Sequence, residues 1–412
     1  MATIGLNTSP LRGRYLTALN DIAEGSEVVV AATFAAAPVD SSKKKVCATC
    51  LDQAAKAHAL RCVDCDQVFF CSKDCLDECM AGGHDLVCKA FRRLATSKAS
   101  LHEKSVMKLV LNILLGRWKQ RKNPGIDSRA AFAYIPSINE VLQQSDSGSN
   151  TITTTIEIHD PLTPTPPTYK DVTNLQSHYH EWTEDVKREW KKIHSLVVAM
   201  LMESRELVDD DLIHESEGDD LDQVVMHLVS KIESNGFGIW ALKRKPVADP
   251  LTASAADLDG TTICSPASNC LEENDTDRSP NSTSNEEYGT GACIGRALYP
   301  HASFFNHSCI PTCEPIQYQT KLIFKARHRI EAGQELTISY IDTNSPYAGR
   351  KSSLLQDYFF ECKCMRCEAD ACAKPNQREK VVFSGNQKGG GKKPKEKQPK
   401  KKKVEAKGYV YE

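Results

Sequence analysis

The chain has no run of about 18 apolar residues, so no membrane-spanning helix is predicted. Its first residues, MATIGLNTSPLRGRYL, hold no apolar core of a secretory signal, and none is expected. It also lacks an excess of either charge. Lys and Arg number 52 against 54 Asp and Glu, a net −2, which excludes a globally basic nucleic-acid binder. Aromatic residues are sparse at 7%, so each aromatic cluster carries information. What remains is 412 residues, 40% hydrophobic, enough for two or three domains with real cores. The expected compartment is reducing: nucleus or cytoplasm.

Cysteine is abundant, at 17 residues. Without a secretory signal these are expected to bind metal rather than form disulfides. Residues 47–88 carry Cys47-x2-Cys50, Cys62-x2-Cys65, Cys71-x3-Cys75 and His84-x3-Cys88. Eight ligands make two tetrahedral zinc sites arithmetically natural. The stretch has little apolar content, so metal is expected to hold its fold. Spacing alone does not say which pairs share an ion. Cys79 is left over, structural or free.

Periodicity organises the rest. Residues 89–143 read as helical, with Met107, Val110, Leu111, Leu114 and Trp118 on one face. Residues 144–170 are rich in Ser, Thr and Pro and read as a mobile loop. Trp182, Val186, Trp190, Ile193, Val197 and Met200 mark a second helix; Leu221, Val224, Val225, Leu228 and Ile232 mark a third, ending at Ser234-Asn235-Gly236. Between them, 203–222 is strongly acidic and reads as a solvated face or as a docking site for a basic tail. Residues 246–290 are polar and predicted disordered. Strands are expected over Glu27–Ala31, Gln317–Lys325 and Glu335–Ile341. The Lys-rich tail suits weak, salt-sensitive contact with nucleic acid or an acidic partner, or nuclear import.

The most informative stretch is Ser303–Cys313, SFFNHSCIPTC. Two aromatics before Asn306, His307 and Cys309 read as a buried turn whose polar groups have fixed partners, since unpartnered burial is costly. Around it stand RGRYL from Arg12, DIAEG from Asp21, ELTISY from Glu335 and DYFFECKCMRC from Asp357. In this order the segments resemble the SET domain of protein lysine methyltransferases. The cysteine cluster after residue 46 makes the closer resemblance that to the SET-and-MYND subfamily. It covers about half of the chain.

The resemblance implies an α+β fold. A SET core would be split by a MYND zinc finger and a helical insertion, and closed by a post-SET zinc segment. The implied divisions are 1–46 and 291–345 for the SET halves, 47–88 for the finger and 89–245 for the helical insertion. They continue with 246–290 for the disordered insertion, 346–375 for the post-SET segment and 376–412 for the disordered tail.

It also implies about three structural zincs. One would sit on Cys47, Cys50, Cys71 and Cys75, and a second on Cys62, Cys65, His84 and Cys88. The third would sit on Cys309 with Cys362, Cys364 and Cys367. The methyl donor would be S-adenosylmethionine. Arg12, Gly13, Asn235, Asn306, His307 and Phe360 would hold it, with Phe360 stacked on the adenine and His307 contributing backbone and side chain. Tyr340 would be the catalytic tyrosine, and Tyr358 the other wall of the lysine channel.

This sequence departs from the family at Arg14, at Tyr15, where a second Gly is usual, and at Thr312. The implied activity is lysine N-methylation of a protein partner, histone or non-histone. The alternative is a zinc-dependent adaptor that takes proline-rich peptides on the finger and keeps the SET half as a scaffold.

Overall fold

The computed structural model describes residues 3–9, 12–123, 156–158, 161–204, 206–241, 262–263 and 292–372. In chain order the strands are β1 (Ile4–Ser9), β2 (Gly13–Ala18), β3 (Glu27–Ala32), β4 (Ala35–Pro38), β5 (Leu60–Arg61), β6 (Phe69–Phe70) and β7 (Ile156–Ile158). They continue as β8 (Gly236–Trp240), β9 (Thr262–Ile263), β10 (Cys293–Leu298), β11 (Asn306–His307), β12 (Cys313–Tyr318), β13 (Lys321–Ala326) and β14 (Glu335–Ile338). The helices are α1 (Lys73–Ala81), α2 (Asp85–Thr96), α3 (Leu101–Lys122), α4 (Tyr169–Thr173), α5 (Glu184–Leu201), α6 (Asp210–Glu215), α7 (Leu221–Asn235), α8 (Tyr347–Asp357) and α9 (Met365–Cys372). The described residues thus form a mixed α+β fold. No described helix is long and apolar enough to cross a membrane.

Three small sheets carry the core, ordered β11-β14-β2-β1-β7, β4-β10-β8 and β3-β13-β12-β9. Most pairings are antiparallel, but β11 joins β14 in parallel, with Asn306 opposite Thr337 and His307 opposite Ile338. Apolar side chains from these sheets share one core that includes Ile4, Leu16, Phe305, Phe324, Leu336 and Ile338. The rings of Phe305 and Phe324 stack at 4.0 Å and both are fully buried. This is why the aromatic pair before Asn306 does not lie on the surface. It anchors the turn that presents the next four residues.

A second core joins the helices to residues 47–94. Local signals set the helix ends. Ser100 and Glu103 close a capping box at the start of α3, separating it from α2. Asp220 caps α7 by accepting from the Gln223 N–H at 2.8 Å. Helix α7 runs directly into β8, which delivers Asn235 to the edge of the sheets.

Several expectations are corrected. The span Gln317–Lys325 is not one strand but the hairpin of β12 and β13, turning at Gln319 with φ of 51°. The expected loop 144–170 holds β7, paired with β1, and the first residues of α4; 144–155 lie outside the described residues. Within 246–290, Thr262–Ile263 pairs with β12, and the remainder lies outside the described residues, as does the tail from 373.

The acidic run is not a purely solvated face. Asp209 and Glu215 hold the buried Arg117 at 2.8 and 2.6 Å, and Glu203 bridges Lys89 and Arg93. Arg117 sits in the apolar stripe of α3 and needs these carboxylates, since a buried unpaired charge is costly.

Candidate active site and metal centres

Three four-ligand clusters form where cysteines converge: Cys47, Cys50, Cys71 and Cys75; Cys62, Cys65, His84 and Cys88; and Cys309, Cys362, Cys364 and Cys367. In each, all ligand atoms lie within 4.8 Å of one another. Neighbouring sulfurs are 3.5 Å apart in Cys50–Cys71 and Cys309–Cys367, and 3.6 Å in Cys62–Cys88. A disulfide needs about 2.05 Å. A tetrahedron with metal–sulfur bonds of about 2.3 Å has sulfur–sulfur edges of roughly 3.8 Å. The donor sets therefore fit zinc.

Burial opposes ionisation of Cys47, but the N–H groups of Cys50, Cys71 and Thr49 outweigh it and lower its thiol. The bond from Cys309, with help from His307, pulls the Cys362 thiol down to about 3. The leftover Cys79 belongs to none of the three clusters, and burial pushes its thiol up to about 11.

The third cluster is tied to an aromatic cavity through His307. The Tyr340 backbone N–H donates to His307 Nδ1 at 3.0 Å, so that nitrogen carries no proton. The proton sits on Nε2, which faces Cys309 Sγ at 3.3 Å. Both nitrogens of His307 are engaged this way.

A group missed by sequence reasoning completes the cluster. Arg350, on α8, is 1% exposed. It donates to Cys309 Sγ at 3.3 Å, to Cys367 Sγ at 3.8 Å, to Asp370 at 2.6 Å and to the Ser345 carbonyl at 2.8 Å. Four thiolates on one zinc leave net negative charge, and a buried guanidinium offsets it.

The cavity itself is a narrow cleft of about 20 Å³. Ser234, Asn235, Phe237, Phe305, Tyr340 and Tyr358 line it, with Ala302 and Ser303. Its volume is far below the ~300–1,000 Å³ usual for small-molecule pockets. The Tyr340 and Tyr358 rings lie 5.0 Å apart, and Phe360 meets Tyr340 edge-on at 6.3 Å. The Tyr340 hydroxyl donates to the Phe305 carbonyl at 2.6 Å. Burial raises its pKa, so the phenol stays protonated at neutral pH.

Of the sequence-predicted residues, Asn235, Tyr340 and Tyr358 line this cavity, whereas Arg12, Gly13 and Asn306 meet at the β1–β2 turn. Asn306 Nδ2 donates to the Arg12 carbonyl at 3.2 Å and to Glu335 at 3.1 Å, pinning the β1–β2 turn to β14. Arg12 is exposed and paired with Glu335 at 3.0 Å. Gly13 has φ of 63°, the left-handed region that favours glycine, and leaves backbone bare beside the turn. Asn235 Nδ2 donates to the Gln176 and Lys231 carbonyls at 3.0 and 2.9 Å.

The three unusual positions all find structural places. Arg14 packs on the Phe304 ring at 5.1 Å and donates to the Asn174 carbonyl; burial lowers its pKa to about 10. The Tyr15 ring lies under the Arg12 guanidinium at 5.6 Å. The Thr312 hydroxyl accepts from the Thr337 N–H at 2.8 Å.

A fold of this kind, with β11 laid parallel to β14 beside a tyrosine pair, defines a class, and the SET domain family model matches residues 13–341. The chain belongs to the SET-domain family, as a member of the SET-and-MYND type. It is 23% identical over 385 residues to a SET and MYND domain-containing protein of Dictyostelium discoideum, covering 89% of this chain and 82% of the relative. Over 75 residues, 18% of each chain, it is 41% identical to human Histone-lysine N-methyltransferase SMYD3. Over 98 residues it is 36% identical to Histone-lysine N-methyltransferase ASHR2 of Arabidopsis thaliana, covering 22% of this chain and 24% of the relative.

Proposed function

We propose that the protein is an S-adenosylmethionine-dependent lysine N-methyltransferase acting on a lysine of another protein, histone or non-histone. The observation that carries this reading is the Tyr340–Tyr358 pair walling a cavity, with the Tyr340 hydroxyl already committed as donor to Phe305. A phenol that spends its proton on a carbonyl keeps its lone pairs for an amine N–H. It can therefore hold a neutral lysine amine with the nitrogen lone pair aimed along the cavity. The apolar walls disfavour the ammonium form of a lysine, whose reference pKa is about 10.4. Positioning and exclusion of water are the protein's main contributions.

S-adenosylmethionine supplies a methyl on a positively charged sulfur. The bare backbone at Gly13, the Asn306–His307 strand, Asn235 and Phe360 surround the place it would take. Arg12 serves this site through its carbonyl, which Asn306 grips. The three thiolate clusters are read as two zincs of a MYND finger and one of a post-SET segment, all structural.

The test is Tyr340→Phe, assayed by transfer of labelled methyl to a panel of lysine-bearing proteins. Transfer should fall by at least about tenfold. Donor binding by calorimetry and zinc content should stay at wild-type values. Undiminished transfer would remove Tyr340 from the mechanism. Absent donor binding by folded, zinc-loaded wild-type protein would favour the adaptor reading.

A further inference from the structure

One cluster of metal-ligating side chains lies apart from the cysteine centres and the tyrosine cavity. His180, Glu217 and His227 bring their ligand atoms within 4.8 Å of one another. They come from three separate segments: the stretch before α5, the turn between α6 and α7, and the second turn of α7. Neither local spacing nor helical periodicity would group them.

His227 is 2% exposed, and its Nδ1 is 2.8 Å from Ser177 Oγ and 3.5 Å from a Glu217 oxygen. The Tyr179 ring meets its face at 4.9 Å, and the His180 ring lies 5.2 Å away. The imidazole is thus held in one orientation, with Ser177 and Glu217 both at Nδ1. His180 and Glu217 are exposed, so an ion could enter from solvent.

We propose that His180, Glu217 and His227 form a fourth metal site, open to solvent, for a borderline divalent ion of the zinc class. Two imidazoles and one carboxylate suit zinc or cobalt, whereas magnesium and calcium prefer oxygen ligands. Three protein ligands leave coordination positions for water. The site is weaker than the cysteine centres for a visible reason. The buried Lys231 ammonium holds a Glu217 oxygen at 3.1 Å and is itself fixed by the Thr173 carbonyl at 2.7 Å. An arriving cation shares the carboxylate with that ammonium, so binding is weaker than at the cysteine centres and reversible.

The site's position gives it a consequence. An ion there ties residues 176–180 to α7. In that segment Gln176 accepts from Asn235, and His178 stacks on Phe359 at 4.7 Å. Asn235 lies eight residues beyond His227, about 12 Å along the helix, and lines the tyrosine cavity. Occupancy therefore braces one wall of that cavity.

The experiment uses the full chain with its cysteine centres loaded with zinc. Cobalt(II) is titrated in while the visible and near-ultraviolet spectrum is followed. One equivalent should bind with weak visible bands and no sulfur-to-cobalt charge-transfer absorption. His180→Ala, at an exposed position, should weaken binding by at least about tenfold, and Glu217→Gln should do the same. Both variants should keep the wild-type zinc content and circular dichroism. No saturable binding up to millimolar cobalt would overturn the proposal. So would bands that carry thiolate charge transfer alone, or an affinity unchanged in His180→Ala. None of these readouts depends on methyl transfer.

Discussion

Arg350→Ala is the perturbation with the most to say about how this fold is held. The guanidinium is buried and gives four contacts: two thiolate sulfurs, one carboxylate and one backbone carbonyl. Deleting it leaves Cys309 and Cys367 without their charged donors, and the Ser345 carbonyl without its partner. Losing one member of a buried charged contact costs about 3–5 kcal/mol. Asp370 is 40% exposed and can turn to water, so the lower end applies, about 3 kcal/mol. At about 1.4 kcal/mol per factor of ten, the third metal should be held roughly 100-fold less tightly.

A chromophoric chelator titrated against zinc-loaded protein measures this directly. Wild type should surrender its zincs in an order set by the two clusters of 47–88 and the Cys309 cluster. The variant should release one zinc far earlier, with the other two unchanged. Arg350→Lys keeps the charge but loses the fork that spans both sulfurs, so it should fall between. A variant that yields all three zincs at the wild-type chelator concentration would refute the argument, because Arg350 would then not be offsetting thiolate charge.

Asp357, next to Tyr358, has its carboxyl pushed up to about 7, first by burial and then by the nearby Glu233 charge. A folded pKa raised above the unfolded 3.8 contributes stability below about pH 4 and loses it as pH rises through 7. Asp357→Asn should therefore raise the melting temperature at pH 8 by the equivalent of about 1–2 kcal/mol after allowance for solvent screening, and leave it near wild type at pH 4. Equal effects at both pH values would sink that reading. Phe324→Ala removes a ring stacked on Phe305 in a fully buried place. It should cost about 3–5 kcal/mol in urea unfolding; a loss under 1 kcal/mol would mean that the site collapses around the gap. Acidification should release zinc, since protons compete for thiolates and for His84, and retention measured from pH 8 to pH 5 should fall monotonically.

The sequence-level reading reached far where chemistry is local. Phe304 and Phe305 ahead of Asn306 marked a buried turn, and both are buried. The cysteine pairs marked metal, although their interleaving came from family resemblance and not from spacing. It failed where partners are distant in sequence. Nothing in GRKSSLLQ says that Arg350 will face Cys309, 41 residues earlier. Arg117 did carry a usable signal: a cation that follows the stripe Leu111, Leu114, Leu115 demands acids elsewhere, and the run 203–222 contains them. Read apart, the acids looked like a solvated face or a docking site, and the cation drew no reading. The polar runs show the limit of composition in two short pieces. Composition reports whether a segment can build a core alone, and β7 and β9 need only the edge of an existing sheet.

His307 shows how the pieces act as one unit. Sequence pattern marks it as a functional residue, and the structure gives its side chain a job that the pattern does not display. One nitrogen takes the Tyr340 backbone N–H, and the other gives its proton toward Cys309. The preceding strand residue, Asn306, grips the turn at Arg12. Metal cluster, tyrosine and β1–β2 turn therefore meet across two adjacent side chains on a two-residue strand. If the Cys309 centre loses its metal, Nε2 loses its thiolate acceptor and the imidazole loses the constraint that fixes its tautomer. The Tyr340 amide then loses an oriented acceptor, although the tyrosine itself touches no metal ligand. His307→Gln keeps one acceptor and one donor on a shorter reach. It should retain zinc better than His307→Ala while still displacing Tyr340, so that zinc content and cavity geometry come apart in that variant. Two variants indistinguishable in both zinc retention and Tyr340 environment, read by fluorescence or NMR, would show that the imidazole only fills space.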